Sequence, residues 1–139
     1  MDNDKKAKLA VEKVITFLRK KKYSKVEDVS TKHKGYDIIA SNKNREEFTF
    51  EVKGTSNQKG GIPDFCKTEF EEKGDKLFLK ADFLYVVRFG PKNKRAVVNI
   101  LTKKEVDNYS GLHTKKIIIK NSSKLSKDIR NGKIRTQYI

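Results

Sequence analysis

Phe48-Thr49-Phe50-Glu51-Val52-Lys53-Gly54 is the stretch on which the fold turns. Side chains along a strand point alternately to its two faces. Phe48, Phe50 and Val52 therefore share one face, and Thr49, Glu51 and Lys53 share the other. Gly54 is expected to end the strand. Just upstream, Gly35-Tyr36-Asp37-Ile38-Ile39-Ala40 reads as a second strand, closed by the polar turn Ser41-Asn42-Lys43-Asn44. A hairpin through Ser41–Arg45 would bring Asp37 across the ladder toward Glu51.

Outward from this pair, Val11, Val14, Ile15 and Leu18 recur at i, i+3, i+4 and i+7, which predicts a helix over Ala7–Leu18. Val26–Val29 is a short strand. Thr55–Pro63, with Gly60-Gly61, reads as a loop. Thr68–Leu79 is expected to be a helix, because Thr68 and Glu71 have the spacing of a capping box. Phe83–Phe89 and Ala96–Leu101 read as paired strands across Gly90-Pro91, Glu105–Tyr109 as a short helix, and Ile117–Ile119 as a strand before a polar tail. The expected architecture is one α/β domain over residues 1–139. Its core spans about 7–101, in the order helix, three strands, helix, strand, around a mixed sheet. A small basic extension follows over about 102–139.

Composition bounds the function. The chain has 139 residues, 33 Lys+Arg against 18 Asp+Glu, and a formal net charge of +15. Such a balance favours polyanionic partners, nucleic acid first. The apolar runs are a handful of residues long, so no membrane span and no signal-peptide core are expected. A single cysteine, Cys66, excludes an internal disulfide and a multi-cysteine zinc site and suits a reducing cytoplasm. His33 and His113 have no partner at metal-ligand spacing. A bound metal must therefore rest mainly on carboxylates.

Glu51 and Lys53, two apart on one strand face, with Asp37 opposite, would make a hard oxygen site suited to Mg2+ or Mn2+. A lysine beside it can hold an attacking water or stabilise charge on a phosphate. Charges on the outer face of a solvated strand show the same alternation, so the pattern alone leaves both readings open.

Gly35-Tyr36-Asp37-Ile38, then Phe50-Glu51-Val52-Lys53-Gly54-Thr55, then Thr68-Glu69-Phe70-Glu71 and Phe83–Arg88, together resemble the PD-(D/E)XK, or restriction-endonuclease-like, superfamily. The resemblance is closest to the Mrr-like branch and the C-terminal domain of the NO VEIN protein, and it covers roughly Val11–Arg88. It implies that Asp37 and Glu51 ligate the metal and that Lys53 serves the water or scissile phosphate. Glu12, Glu69 and Gln58 are candidate supporting residues. The expected function is a metal-dependent endonuclease acting on DNA, double-stranded DNA foremost, with a homodimer as one candidate assembly. The alternative is a catalytically inactive nucleic-acid-binding module of the same fold, such as a subunit of a restriction, repair or helicase assembly. A basic protein that binds structured RNA is a third reading.

Charge placement suggests where a polyanion would lie. Residues Lys115–Ile139 hold eight basic residues against Asp128 alone, and the first 22 residues hold eight against three acids. Lys20, Lys21, Lys22, Lys59, Lys124, Lys127, Arg130 and Lys133 are the expected nucleic-acid contacts.

Overall fold

A computed structural model describes residues 2–32, 35–57, 62–74, 76–91, 95–109 and 122–139. Gln58, Lys59, Gly60, Gly61, His33, His113, Lys115 and the expected Ile117–Ile119 strand lie outside them. The described elements run α1 (Asn3–Arg19), β1 (Tyr23–Asp28), β2 (Ile38–Asn42), β3 (Glu47–Thr55), β4 (Phe70–Lys73), β5 (Lys76–Leu79), β6 (Phe83–Arg88), β7 (Val97–Thr102), α2 (Lys103–Tyr109), α3 (Ser122–Arg130) and β8 (Arg135–Tyr138). None of the described helices is long and apolar enough to cross a membrane.

The chain is α/β, built on a mixed six-stranded sheet in the order β1-β2-β3-β6-β7-β8. Among the described strands the parallel pairing is β3 with β6, and the others run antiparallel. The β2–β3 hairpin turns where Asn42 Oδ1 accepts from the backbone N–H groups of Asn44 and Glu46. Arg45 sits there at φ 64°, in the left-handed region. This sets Ile38 opposite Phe50 and Ala40 opposite Phe48.

Helix α1 starts where the Asp2 side chain accepts from the N–H of Lys5 at 2.8 Å, which satisfies one of the first-turn donors. It buries Ala10, Val11, Val14 and Leu18 against Ile38, Phe50, Val52, Tyr85 and Val87. Full burial of a side chain the size of Leu18 or Phe50 contributes about 1.5–3 kcal/mol. The helix lies close on the sheet at Gly54. A Cβ there would meet Ala10 Cβ and the Lys6 carbonyl oxygen, each at 3.0 Å. Gly54 does not end β3, as the sequence suggested. Pairing with β6 carries the strand on to Thr55, opposite Arg88, and the glycine is where the helix needs bare backbone.

The predicted second helix is absent. Lys67–Glu69 is a single turn of 3-10 helix, and residues 70–79 form the β4–β5 hairpin, whose turn holds Gly74 at φ 62°. The apolar side chains decide the matter. Phe70, Leu77 and Leu79 are buried while Glu71, Glu72 and Lys73 are exposed, which no single helical stripe provides across Gly74. With Phe65 these residues cover the sheet's second face, packing on Leu84, Val86 and Leu101 beside Val106, Leu125 and Ile134. The C-terminal segment is no loose tail. Leu125 of α3 is 1% exposed, and β8 extends the sheet beyond β7.

Candidate active site

Because both faces of the sheet are covered, the face of β3 that carries Glu51 and Lys53 is enclosed. The alternation alone left open a solvated outer face or a site; Glu51 is 4% exposed and Lys53 is largely buried, so the face is not solvated. Asp37, one residue before β2, is fixed by its backbone. Its N–H donates to the Phe50 carbonyl at 2.9 Å, and its carbonyl accepts from Val29 at 2.8 Å. The Asp37 carboxylate oxygen Oδ2 accepts from the N–H of Val52 at 2.8 Å, which holds it over β3. There it lies beside the Glu51 carboxyl, close enough for its charge to disfavour ionisation of Glu51. The expected convergence of Asp37 and Glu51 across the hairpin is what the register produces.

Lys53 Nζ stands 2.6 Å from Glu69 Oε1 and 3.7 Å from Glu51 Oε1, and 5.0 Å above the Phe65 ring. Glu69 is buried in the 3-10 turn, where its other oxygen accepts from the N–H of Cys66 at 2.9 Å. The local capping arrangement thus runs from Cys66 to Glu69 rather than from Thr68 to Glu71. Glu69 is brought to the site from the crossover between β3 and β6.

The electrostatics follow from burial. Glu51 is driven far above the ordinary carboxylate range, first by desolvation, then by the neighbouring charges of Asp37 and Glu69. Asp37 is raised as well, by burial, although the Val52 N–H and Lys53 favour its charged form. Burial works to lower the Lys53 ammonium, but Glu69 and Glu51 more than offset it and hold the group above its usual value. Burial and mutual repulsion therefore favour one proton held between the Asp37 and Glu51 carboxyls, while Lys53 is held in its charged form.

The cluster opens into a cleft of about 940 Å³. Helix α1 lines it too, through Asp4, Lys6, Lys8 and Val11, as do Asp28, Ser30 and Thr31. Lys6 and Lys8 are cleft cations that sequence reasoning missed. For Lys8 the signal was helical phase, since positions 4, 8 and 11 lie on one side of α1, spaced four and three apart; Lys6 lies about 200° round the helix from Asp4, and no such spacing marks it. Glu12 falls on the other flank. It is exposed and lines a separate groove with Lys13, Lys20, Arg95 and Tyr138, so the structure does not bring it to Asp37 and Glu51.

The expected cationic contacts are also dispersed. Lys20, Lys21 and Lys22 sit at the C-terminal end of α1, about 20 Å along its axis from Lys6 at 1.5 Å per residue. Lys124, Lys127, Arg130 and Lys133 are exposed on α3 and the turn after it. Lys124 and Lys133 flank a small hollow with Glu105 and Tyr109.

Among the described residues no three His, Cys, Asp or Glu side chains stand grouped as metal ligands. What converges is a pair of carboxylates. That is a sufficient protein contribution for Mg2+, which commonly keeps several waters and is held by one or two carboxylates plus substrate phosphate. Two buried acids whose repulsion keeps one of them protonated form a donor set that a divalent cation would satisfy.

A family model described as "Protein NO VEIN, C-terminal" matches residues 6–98. The span holds Asp37, Glu51, Lys53 and Glu69. No curated protein and no solved structure matches the chain.

Proposed function

From the premise that the chain belongs to the family of the protein NO VEIN C-terminal domain, we propose that it is a nucleic-acid-binding phosphodiesterase of the PD-(D/E)XK, restriction-endonuclease-like type. It would act on DNA, double-stranded DNA foremost, with Mg2+ or Mn2+. The observation that carries this reading is the approach of the Asp37 and Glu51 carboxyls beside Lys53, in a cleft also lined by Lys6 and Lys8. The β4–β5 hairpin departs from the superfamily order, which has a helix at that place.

In this reading Asp37 and Glu51 hold the cation. Holding it requires both carboxylates ionised, so Glu51 must release the proton it shares with Asp37. When bound, the metal would polarise a phosphoryl oxygen and favour hydroxide at a coordinated water. Lys53 Nζ supplies a fixed positive charge for the developing charge on the scissile phosphate. Glu69 and the Phe65 ring hold that ammonium in place. Lys6 and Lys8 attract the flanking phosphates, and the enclosed position of Glu51 strengthens each of these interactions.

A second reading, a binding module of the same family that does not cut, draws on one observation. Lys53 is engaged by Glu69 at 2.6 Å, nearer than its 3.7 Å approach to Glu51, so its ammonium is partly neutralised. Incubation with supercoiled and branched DNA, with and without Mn2+, separates the two. The nuclease reading expects Mn2+-dependent nicking that Asp37→Ala abolishes while DNA affinity stays equal or rises, because a negative charge near phosphate is removed. Folded wild-type protein that binds DNA and leaves it intact at every metal concentration would establish the silent module.

A further inference from the structure

On the flank of α1 away from the cleft, a groove of about 380 Å³ runs between the helix and the edge strand β8. Its size is that of a small-molecule site. Leu9, Phe17 and Ile139 form its apolar lining. Tyr138 stands at its lip, 66% exposed, whereas the other described aromatic side chains are buried or half-buried. The Arg95 guanidinium lies 5.8 Å from the Tyr138 ring centre, and Lys21 Nζ lies 4.9 Å from that of Phe17. Lys13, Lys20 and Arg95 line the groove against a single acid, Glu12.

We propose that this groove binds one unpaired nucleotide of a nucleic-acid strand, its base stacked on Tyr138 and the adjoining phosphates held by Lys13, Lys20 and Arg95. Three features favour this occupant. The lining carries a net positive charge, which selects an anion over an apolar or basic peptide. An exposed aromatic flanked by cations is the combination by which proteins hold single strands, because every base has a face to stack and every linkage a charge to neutralise. The platform is also rigid. Tyr138 pairs with Val97 in the sheet, and the next N–H, of Ile139, donates to the Ala96 carbonyl at 2.9 Å. A fully paired duplex keeps its base faces stacked inside, so the groove discriminates for unpaired segments: ends, gaps, flaps or junctions.

The inference rests on nucleic acid being the partner and does not depend on cleavage. The test is fluorescence anisotropy in EDTA, with a labelled oligothymidylate and a duplex of equal length. A base stacked on an aromatic is worth about fivefold to a hundredfold in affinity. Tyr138→Ala should lose about that much on the single strand and leave the duplex unaffected, while Tyr138→Phe, which keeps the ring, should bind nearly as wild type does. Lys13→Gln with Arg95→Gln should flatten the single-strand salt dependence by about 0.7 in slope for each phosphate that is no longer neutralised. Unchanged single-strand affinity in folded Tyr138→Ala would overturn the proposal, as would equal losses on single strand and duplex. So would sedimentation showing that Tyr138→Ala splits a dimer, because the groove would then hold a second copy of the chain. Wild-type protein that binds neither DNA would overturn the partner assignment above as well, whereas duplex binding with the Tyr138 results reversed would remove this inference alone.

Discussion

Glu51→Gln is expected to stabilise the metal-free protein, by an amount that grows with pH. In the unfolded chain Glu51 titrates near 4.5; in the fold, burial and then Asp37 and Glu69 push its titration far above neutrality. Between those two values the native state binds a proton that the unfolded state has released. Stability is then unaffected by this group below pH 4.5 and declines as pH rises toward the folded value. The decline is about 1.4 kcal/mol per pH unit. At pH 5 the buried carboxyl costs about 1 kcal/mol, and at pH 7 about 3.5 kcal/mol. How far above pH 7 the folded group titrates does not enter. Glutamine has nearly the same shape, stays neutral, and has an amide N–H to offer the Asp37 carboxylate. Urea denaturation of both proteins in EDTA, at about pH 5 and pH 7, measures the difference directly. The advantage of the variant should grow by about 2.5 kcal/mol between the two pH values. A variant whose advantage is the same at both, or that is uniformly less stable, would refute the reasoning, because it would mean that Glu51 is ionised in the native protein.

Lys53→Met removes the cation between Glu69 and Glu51 and should cost about 3 kcal/mol, with much of the loss recovered in the double variant Lys53→Met/Glu69→Leu. Equal losses in the single and double variants by urea denaturation would show that the pair is not coupled. Gly54→Ala places a methyl group 3.0 Å from Ala10 Cβ and the Lys6 carbonyl and should cost about 1–3 kcal/mol. Thermal unfolding indistinguishable from wild type would contradict so close an approach of α1. Replacing Lys124, Lys127, Arg130 and Lys133 together with Gln should leave the fold intact, since all four are exposed. If all four touch phosphate, the slope of log affinity against log salt on duplex DNA should flatten by about 3 to 4. An unchanged slope would mark that charge as solvation.

Much of the site was legible in the sequence, because it depends on local register. The alternation of Phe48–Lys53 and the polar turn before it are enough to place Asp37 opposite Glu51, and the stripe of Val11, Val14 and Leu18 is enough for α1. The rest depends on what covers what. Thr68 and Glu71 imitate a capping box, and the run Glu69–Lys73 has no apolar alternation of its own. Only the second face of the sheet, which needs Phe70, Leu77 and Leu79, makes that segment a hairpin. The burial of Glu51 was invisible for the same reason: a strand with charges on one face looks solvated until the crossover closes over it. Glu12 is only one turn beyond Lys8, yet it opens onto the groove beside Lys13 and Thr16, while Asp4, Lys6 and Lys8 of the preceding turns line the cleft. Arg135-Thr136-Gln137-Tyr138 has no apolar pattern at all, and all four residues are exposed. It is a strand because β7 offers an open edge.

The parallel junction of β3 with β6 has a kinetic meaning. The β2–β3 hairpin is local and can form early, with Asp37 and Glu51 meeting while water still bathes both and both can ionise. Joining β6 to β3 requires the whole of residues 56–82 to be looped back, the slower kind of event. Only then do Phe65, Phe70 and Glu69 shut water away from the pair. If the barrier is crossed before that closure is complete, the unfavourable desolvation of two acids is felt on its native side and shows in the unfolding rate rather than the folding rate. The crossover is then sprung by the acids it encloses, and raising the pH should hasten unfolding more in the wild type than in Glu51→Gln.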